Sequence, residues 1–188
     1  MHSILITGVA ASGKTTLAHR AASSLGLASL DYADLMLKAE PGLPGKDAIE
    51  ALSAPERQAI YDKVAAQLPS WFGEASADPA TILLENHLSV IQDGAIVTFQ
   101  TTSYGRYCAR GLVVIAADPD IILARRTTDP ARHRAPGTAG QIARQQAANE
   151  SQATIVTGYL RIPLKVIVND DLAKATADLT GWTRGVLP

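Results

Sequence analysis

Nine residues near the start of the chain, Gly8-Val9-Ala10-Ala11-Ser12-Gly13-Lys14-Thr15-Thr16, satisfy the spacing G-x-x-x-x-G-K-[ST] in full. Glycines at both ends let the backbone curl until successive N–H groups point at one anion, and the helix expected after them aims its positive end at the same place. Lys14 adds a mobile cation for the β- and γ-phosphates, and Thr15 offers a hydroxyl to Mg²⁺, whose octahedral shell takes few protein oxygens. Gly8, Ala11, Ser12, Gly13, Lys14, Thr15 and Thr16 are therefore the expected nucleotide-binding residues.

Other residue types capable of chemistry lie further along. Asp31 and Asp34 fit two readings. They are ordinary helix caps, or one of them accepts a hydrogen bond from a second substrate and orients its nucleophile. Glu85, in the polar trio Glu85-Asn86-His87 that closes an apolar run, is either a Mg²⁺-shell carboxylate or a solvated strand end. His87 reads most simply as a hydrogen-bonded turn histidine. Arg126, Arg132 and Arg134 form a solvated loop face, or else they close on a triphosphate, for which the guanidinium fork suits phosphate oxygens. Adjacent helical residues point about 100° apart, so Arg125 and Arg126 are not both expected to face one site.

The elements that must position these groups follow from periodicity. Ser3–Thr7 reads as a buried strand, and Leu17, Ala21 and Leu25 form one stripe of the following helix, stopped by Gly26. Leu27–Asp31 is a short strand and Asp34–Lys38 is helical. Pro41-Gly42-Leu43-Pro44-Gly45 is a loop. Ser53-Ala54-Pro55-Glu56 is a capping box, opening a helix to about Trp71 with Ile60, Val64 and Leu68 on its apolar face. Thr81–Leu84 is another buried strand. Leu88–Ile91 and Ala95–Phe99 flank an Asp-Gly turn and predict a β-hairpin, to which the sequence assigns no role. Leu112–Ala117 is a strand, and Asp118-Pro119 starts a helix running into Arg125-Arg126. Thr127–Gly140 is a polar surface loop broken by Pro130, Pro136 and Gly137. Thr138–Gln141 is a second capping box before a long alanine-rich helix. A last strand, Leu164–Val168, precedes a helix capped by Asp170 or Asp171 and ending near Leu179. Strands alternating with helices predict an α/β fold: a five-stranded parallel sheet with helices on both faces, whose ligands sit at the carboxyl ends of the strands.

The chain has 188 residues, of which 47% are hydrophobic, enough for one sizeable core, and one domain spanning 1–188 is expected. A net charge of −1, with no basic tail, gives no footprint for nucleic acid or an anionic membrane, so a small-molecule partner is expected. Cys108 is the only cysteine and reads as a part-buried small hydrophobe. With neither a secretory signal nor an apolar run of spanning length, the cytoplasm is the expected compartment.

Taken in order, the residues resemble the P-loop nucleoside-monophosphate kinases, most closely the archaeal-type adenylate kinases. The resemblance rests on Ile6 through Thr16, on Tyr32-Ala33-Asp34-Leu35-Met36, and on the strand ending Glu85-Asn86-His87. It continues with Ala116-Ala117-Asp118-Pro119, the segment Arg125 to Arg134, and Thr157-Gly158. It implies a P-loop NTPase fold with an acceptor-binding insertion at about 31–75 and a lid at about 126–140. It also implies ATP and Mg²⁺ as cofactors, Thr15 and Glu85 as the metal's protein partners, and Lys14, Asp34, Arg126, Arg132 and Arg134 as the residues acting in transfer. The expected reaction moves the γ-phosphate of ATP to a nucleoside monophosphate, AMP first. Two departures stand out. Glu85 occupies the position of the family's aspartate, and Lys46 and Glu50 occupy the positions of its two acceptor arginines. Because a carboxylate cannot grip an acceptor phosphate, a kinase of a small-molecule hydroxyl, with Asp31 or Asp34 as base, is the alternative. A nucleotide-switch ATPase is the second.

Overall fold

In a computed structural model of the chain, described over residues 2–75, 81–92, 95–99, 101–128 and 137–187, the apolar runs become strands of one parallel sheet. These are β1 (His2–Thr7), β2 (Ala28–Asp31), β3 (Thr81–Glu85), β6 (Ala109–Ala116) and β7 (Leu164–Val168), in the spatial order β2-β3-β1-β6-β7. Register is fixed by the cores on the two faces, since a slip of one residue would send every side chain to the wrong side. Leu5, Leu84, Leu112 and Val114 point into one core; Ile4, Ile6, Leu83, Val113, Ile115 and Ile167 point into the other. Helices α1 (Lys14–Leu25) and α7 (Leu172–Val186) cover the second face through Leu17, Ala18, Ala21 and Leu179. The first face is covered by α2 (Tyr32–Ala39), α4 (Ala54–Ala75) and α6 (Ala139–Leu160), which contribute Leu35, Val64, Leu68, Ala153 and Val156 among others.

Both capping boxes bear on these elements. Glu56 reaches back to the Ser53 amide at 2.9 Å, and Thr138 and Gln141 satisfy each other's backbone donors at the head of α6. Asp171, not Asp170, caps α7 by accepting from the Lys174 amide. The expected hairpin forms, as β4 (Ser89–Gln92) paired antiparallel with β5 (Ala95–Thr98); its Asp-Gly turn lies outside the described residues.

Several boundaries differ from expectation. β6 starts at Ala109 and α7 runs on to Val186, because neighbouring strands and the second-face core extend both beyond their apolar stretches. A short helix α3 (Lys46–Ala51), a helix α5 (Pro119–Thr128) and a 3₁₀ segment (Thr101–Tyr107) complete the chain; α3 and the 3₁₀ segment carry no periodic signal of their own. Cys108 is exposed, correcting the part-buried reading: with φ at 49° it takes the left-handed turn between the 3₁₀ segment and β6, which leaves its side chain outside both cores.

Candidate active site

The phosphate loop links the carboxyl end of β1 to α1, and its glycines are required by space as well as by dihedral angle. A Cβ on Gly8 would lie 2.3 Å from the Ile115 carbonyl oxygen. One on Gly13, whose φ is +90°, would lie 2.2 Å from Asn169 Nδ2. Ala11 takes the left-handed conformation with φ 67°. Helix α1 carries no side-chain cap on its first turn and no acidic residue there. Amide donors and the helix dipole are thus left for an anionic ligand. Lys14 is buried and donates to the Val9 carbonyl at 3.2 Å.

The loop's carbonyls face the scaffold, held by residues distant in the chain. Arg126 donates from Nε and Nη2 to Ala10 O at 3.2 and 3.1 Å, and from Nη2 to Gln145 Oε1 at 3.2 Å. Arg125 Nη1 donates to Ser12 O at 3.3 Å and Nη2 to Asn169 O at 3.0 Å; Asn169 Nδ2 in turn donates to Ser12 O at 2.8 Å. The two adjacent arginines thus meet the loop on its carbonyl side, and neither is among the residues that line the cleft. Both are long enough to converge on the loop from neighbouring sides of α5, with Arg125 gripping its far end and Arg126 its middle. Arg126 is buried against the loop. Arg132, Arg134 and the rest of 129–136 lie outside the described residues.

A cleft of about 290 Å³ runs from Lys14, Thr15 and Thr16 to the ends of β2 and β3, where Asp31, Ala33, Glu85, Asn86 and His87 line it. Glu85 is buried, hydrogen-bonded to Thr15, with His19 Nε2 4.0 Å away. Burial raises its pKa above the ordinary carboxylate range, against the opposing pull of the Thr15 hydrogen bond. A buried carboxylate beside a hydroxyl, opening on a phosphate site, is a donor set that suits a hard divalent cation, so Thr15 and Glu85 fit Mg²⁺.

Across the cleft, burial would raise the Asp31 pKa, but hydrogen bonds from Lys46 and the Ala33 amide outweigh it and hold the carboxyl below its usual range. Lys46 Nζ sits 2.6 Å from Asp31 Oδ2 and 2.8 Å from Asp34 Oδ1, so Asp31 is both the cap of α2 and a cleft residue. Asp34 is held to the cleft only through Lys46 and stays largely exposed. The other cations of this segment are engaged elsewhere. Lys63 pairs with Glu40, Arg57 donates to the Ile49 and Leu52 carbonyls, and Lys38 lies 4.9 Å above the Trp71 ring. The Glu50 side chain lies outside the described residues. His87 is half-buried in the cleft wall, and its charge helps to lower the Asp31 pKa.

Residue-type reasoning missed Gln145 and Asn169, and left Arg125 undecided beside Arg126. Asn169 carried a positional signal, because it follows the last strand directly, the same station that Asn86 occupies after β3. Gln145 had none, since on a helix of otherwise ordinary polar residues nothing distinguishes a side chain aimed at a loop.

Comparison with known proteins agrees with this geometry. A family model described as an AAA domain matches residues 7–143. The adenylate kinases of Thermoplasma acidophilum and Thermoplasma volcanium are 25% and 28% identical to the chain over 171 residues. The matches cover 89% of this chain in both cases, and 89% and 90% of the relatives. Among solved structures, shikimate kinase from Acinetobacter baumannii in complex with shikimate superposes with a TM-score of 0.60 at 15% identity, covering 99% of this chain and 95% of that one. A sugar kinase from Janibacter sp. gives 0.58 at 14%, covering 98% and 95%. With its phosphate loop, its buried strand-end carboxylate and this match over most of its length, the chain belongs to the AAA-domain family and is a P-loop phosphotransferase.

Proposed function

We propose that the chain transfers the γ-phosphoryl group of ATP to a nucleoside monophosphate, AMP first, as a cytoplasmic Mg²⁺-dependent enzyme. The observation that carries this reading is the end-to-end alignment with two adenylate kinases, 89% of the chain in each case. The loop amides and Lys14 hold the donor phosphates at the head of α1, while residues 31–75 hold the acceptor and 126–140 act as the lid. Lys46 is the cation that faces the strand ends, where an acceptor phosphate would lie. A phosphate oxygen of AMP attacks the γ-phosphorus, the bond to the β-phosphate oxygen breaks, and two ADP leave. The acceptor is already an anion, so no base is needed, and the protein's part is alignment and charge stabilisation. Thr15 and Glu85 would hold Mg²⁺, which supplies charge neutralisation at the phosphates. Arg132 and Arg134 close over the donor and exclude water.

One observation favours a second reading, in which a small-molecule hydroxyl is the acceptor. Lys46 is already shared between Asp31 and Asp34, so positive charge on the acceptor side is offset before any phosphate arrives. A ³¹P NMR screen of ATP against nucleoside monophosphates and hydroxyl metabolites tests both. ADP appearing with AMP supports the first reading; phosphomonoester signals with hydroxyl compounds and none of the β-phosphate growth due to AMP would replace it with the second.

A further inference from the structure

Between β3 and β6 the chain detours through the hairpin and the 3₁₀ segment, which carries two buried tyrosines, Tyr104 and Tyr107. Tyr104 donates to the His87 carbonyl at 3.2 Å. Tyr107 donates to Tyr32 Oη at 3.0 Å, and Tyr32 donates to the Tyr61 carbonyl at 3.4 Å. The Tyr107 hydroxyl is also hydrogen-bonded to the Asn86 side chain. The single O–H of Tyr107 is already given to Tyr32, so toward Asn86 it accepts and the Asn86 amide nitrogen is the donor, while Asn86 Oδ1 accepts from the His87 amide at 2.7 Å. All the donors therefore run one way, from Asn86 through Tyr107 and Tyr32 to the Tyr61 carbonyl. A chain of this kind strengthens each of its members by polarisation.

Its two functional ends lie on the acceptor side of the cleft. Asn86 lines the wall at the end of β3, and Tyr32 directly follows Asp31 at the head of α2. Packing alone does not call for the hydroxyl, because the rings already meet, with Tyr107 centroids 5.7 Å from Tyr32 and 5.6 Å from Tyr104. We propose that Tyr107 is a positioning residue for the acceptor: its hydroxyl ties the Asn86 wall to the start of α2, so that Asn86 and Asp31 keep one separation when the second substrate enters. The detour between β3 and β6 thereby gains a task, delivering that hydroxyl to a place the sheet cannot reach. The inference rests on phosphoryl transfer to a second substrate, and not on which acceptor is used.

The test is Tyr107→Phe, which keeps the ring, assayed by coupled ADP release with AMP as the first acceptor probe and by titration of a fluorescent ATP analogue for the donor side. The kcat/KM for the acceptor should fall about three- to ten-fold, the equivalent of one neutral hydrogen bond, with ATP affinity unchanged. Asn86→Ala and the double variant complete a cycle. If Tyr107 acts through Asn86, the double variant should be hardly worse than Asn86→Ala alone. Equal losses toward ATP and acceptor, strictly additive effects, or an unaltered kcat/KM would each overturn the proposal. A wild-type protein inert toward AMP but active on a hydroxyl compound would defeat the AMP reading alone, and the same comparison would be read with that acceptor. No turnover with any acceptor would defeat both.

Discussion

The phosphate-loop end of the cleft and the end formed by β2 and β3 are built on opposite plans. On the donor side the ligand-facing groups are backbone amides, and side chains from α5, α6 and the end of β7 hold the carbonyls behind them. At the ends of β2 and β3 the groups are side chains, with Lys46 shared by two carboxylates and Asp31 serving as cap and wall together. Backbone donors are common to any sequence that can make the loop, so the donor half is nearly independent of substrate detail. Side-chain groups vary freely with few consequences for the fold, which is why related folds serve adenylate, shikimate and sugar kinases.

If that contrast holds, the largest loss should follow Lys14→Ala. The lysine is the cation that the phosphate loop itself carries, and kcat should fall by at least about 10²-fold, in the range of single transition-state donors. Circular dichroism should show the fold retained. Near-normal turnover in a folded variant would remove the phosphate loop from the chemistry.

Glu85→Gln comes next and separates metal binding from stability. About 10–100-fold more Mg²⁺ should be needed for half-maximal rate. Because burial raises the Glu85 pKa, the folded chain binds that proton more tightly than the unfolded one. Stability therefore declines as pH climbs from the ordinary carboxylate range through the raised value. The neutral glutamine escapes this decline, so without Mg²⁺ the variant should melt higher than wild type at pH 7–8 and close to it near pH 4. Each kcal/mol corresponds to about 2–4 °C for a chain of this size. A lower Tm at pH 8 would contradict the burial argument.

For the lid, Arg132→Ala and Arg134→Ala should each lower kcat by roughly 10–50-fold, the equivalent of one charge-assisted hydrogen bond. ATP affinity measured by calorimetry should shift much less, since a lid meets the phosphates mainly after closure. Unchanged kcat in both variants would return the segment to a solvated surface loop.

The smallest effect tests the acceptor side. Reversing a charge within about 4–6 Å of an anion in partly screened surroundings is worth on the order of 1–3 kcal/mol. Glu50→Arg should then lower the KM for AMP by roughly ten-fold if AMP is the acceptor, and should leave an uncharged acceptor's KM unmoved. An ADP-release series on both proteins distinguishes the two.

The same contrast accounts for what was legible in the sequence. The strands and the loop could be read because each is a contiguous stretch whose pattern is imposed locally, by burial on both faces or by the need for Gly8 and Gly13. The capping boxes of α4 and α6 were legible for the same reason. What escaped were the long-range arrangements: Arg125 and Asn169 at the loop, Lys46 between two aspartates, and the tyrosine chain. Each joins residues whose neighbours in sequence give no hint of the partner, and short elements such as α3 are formed by those contacts and not by periodicity.

The bracing of the loop has a consequence for the order in which the protein comes into being. Synthesis delivers the nucleotide motif well ahead of its struts, which are made only when residues 125, 126, 145 and 169 have left the ribosome. A nascent chain carrying β1, α1 and β3 thus holds the motif without the means to shape it, and β1 lacks its β6 neighbour. Nucleotide affinity therefore arrives with β7, long after the motif itself, and truncation before Asn169 should yield a chain that bears the signature but does not bind.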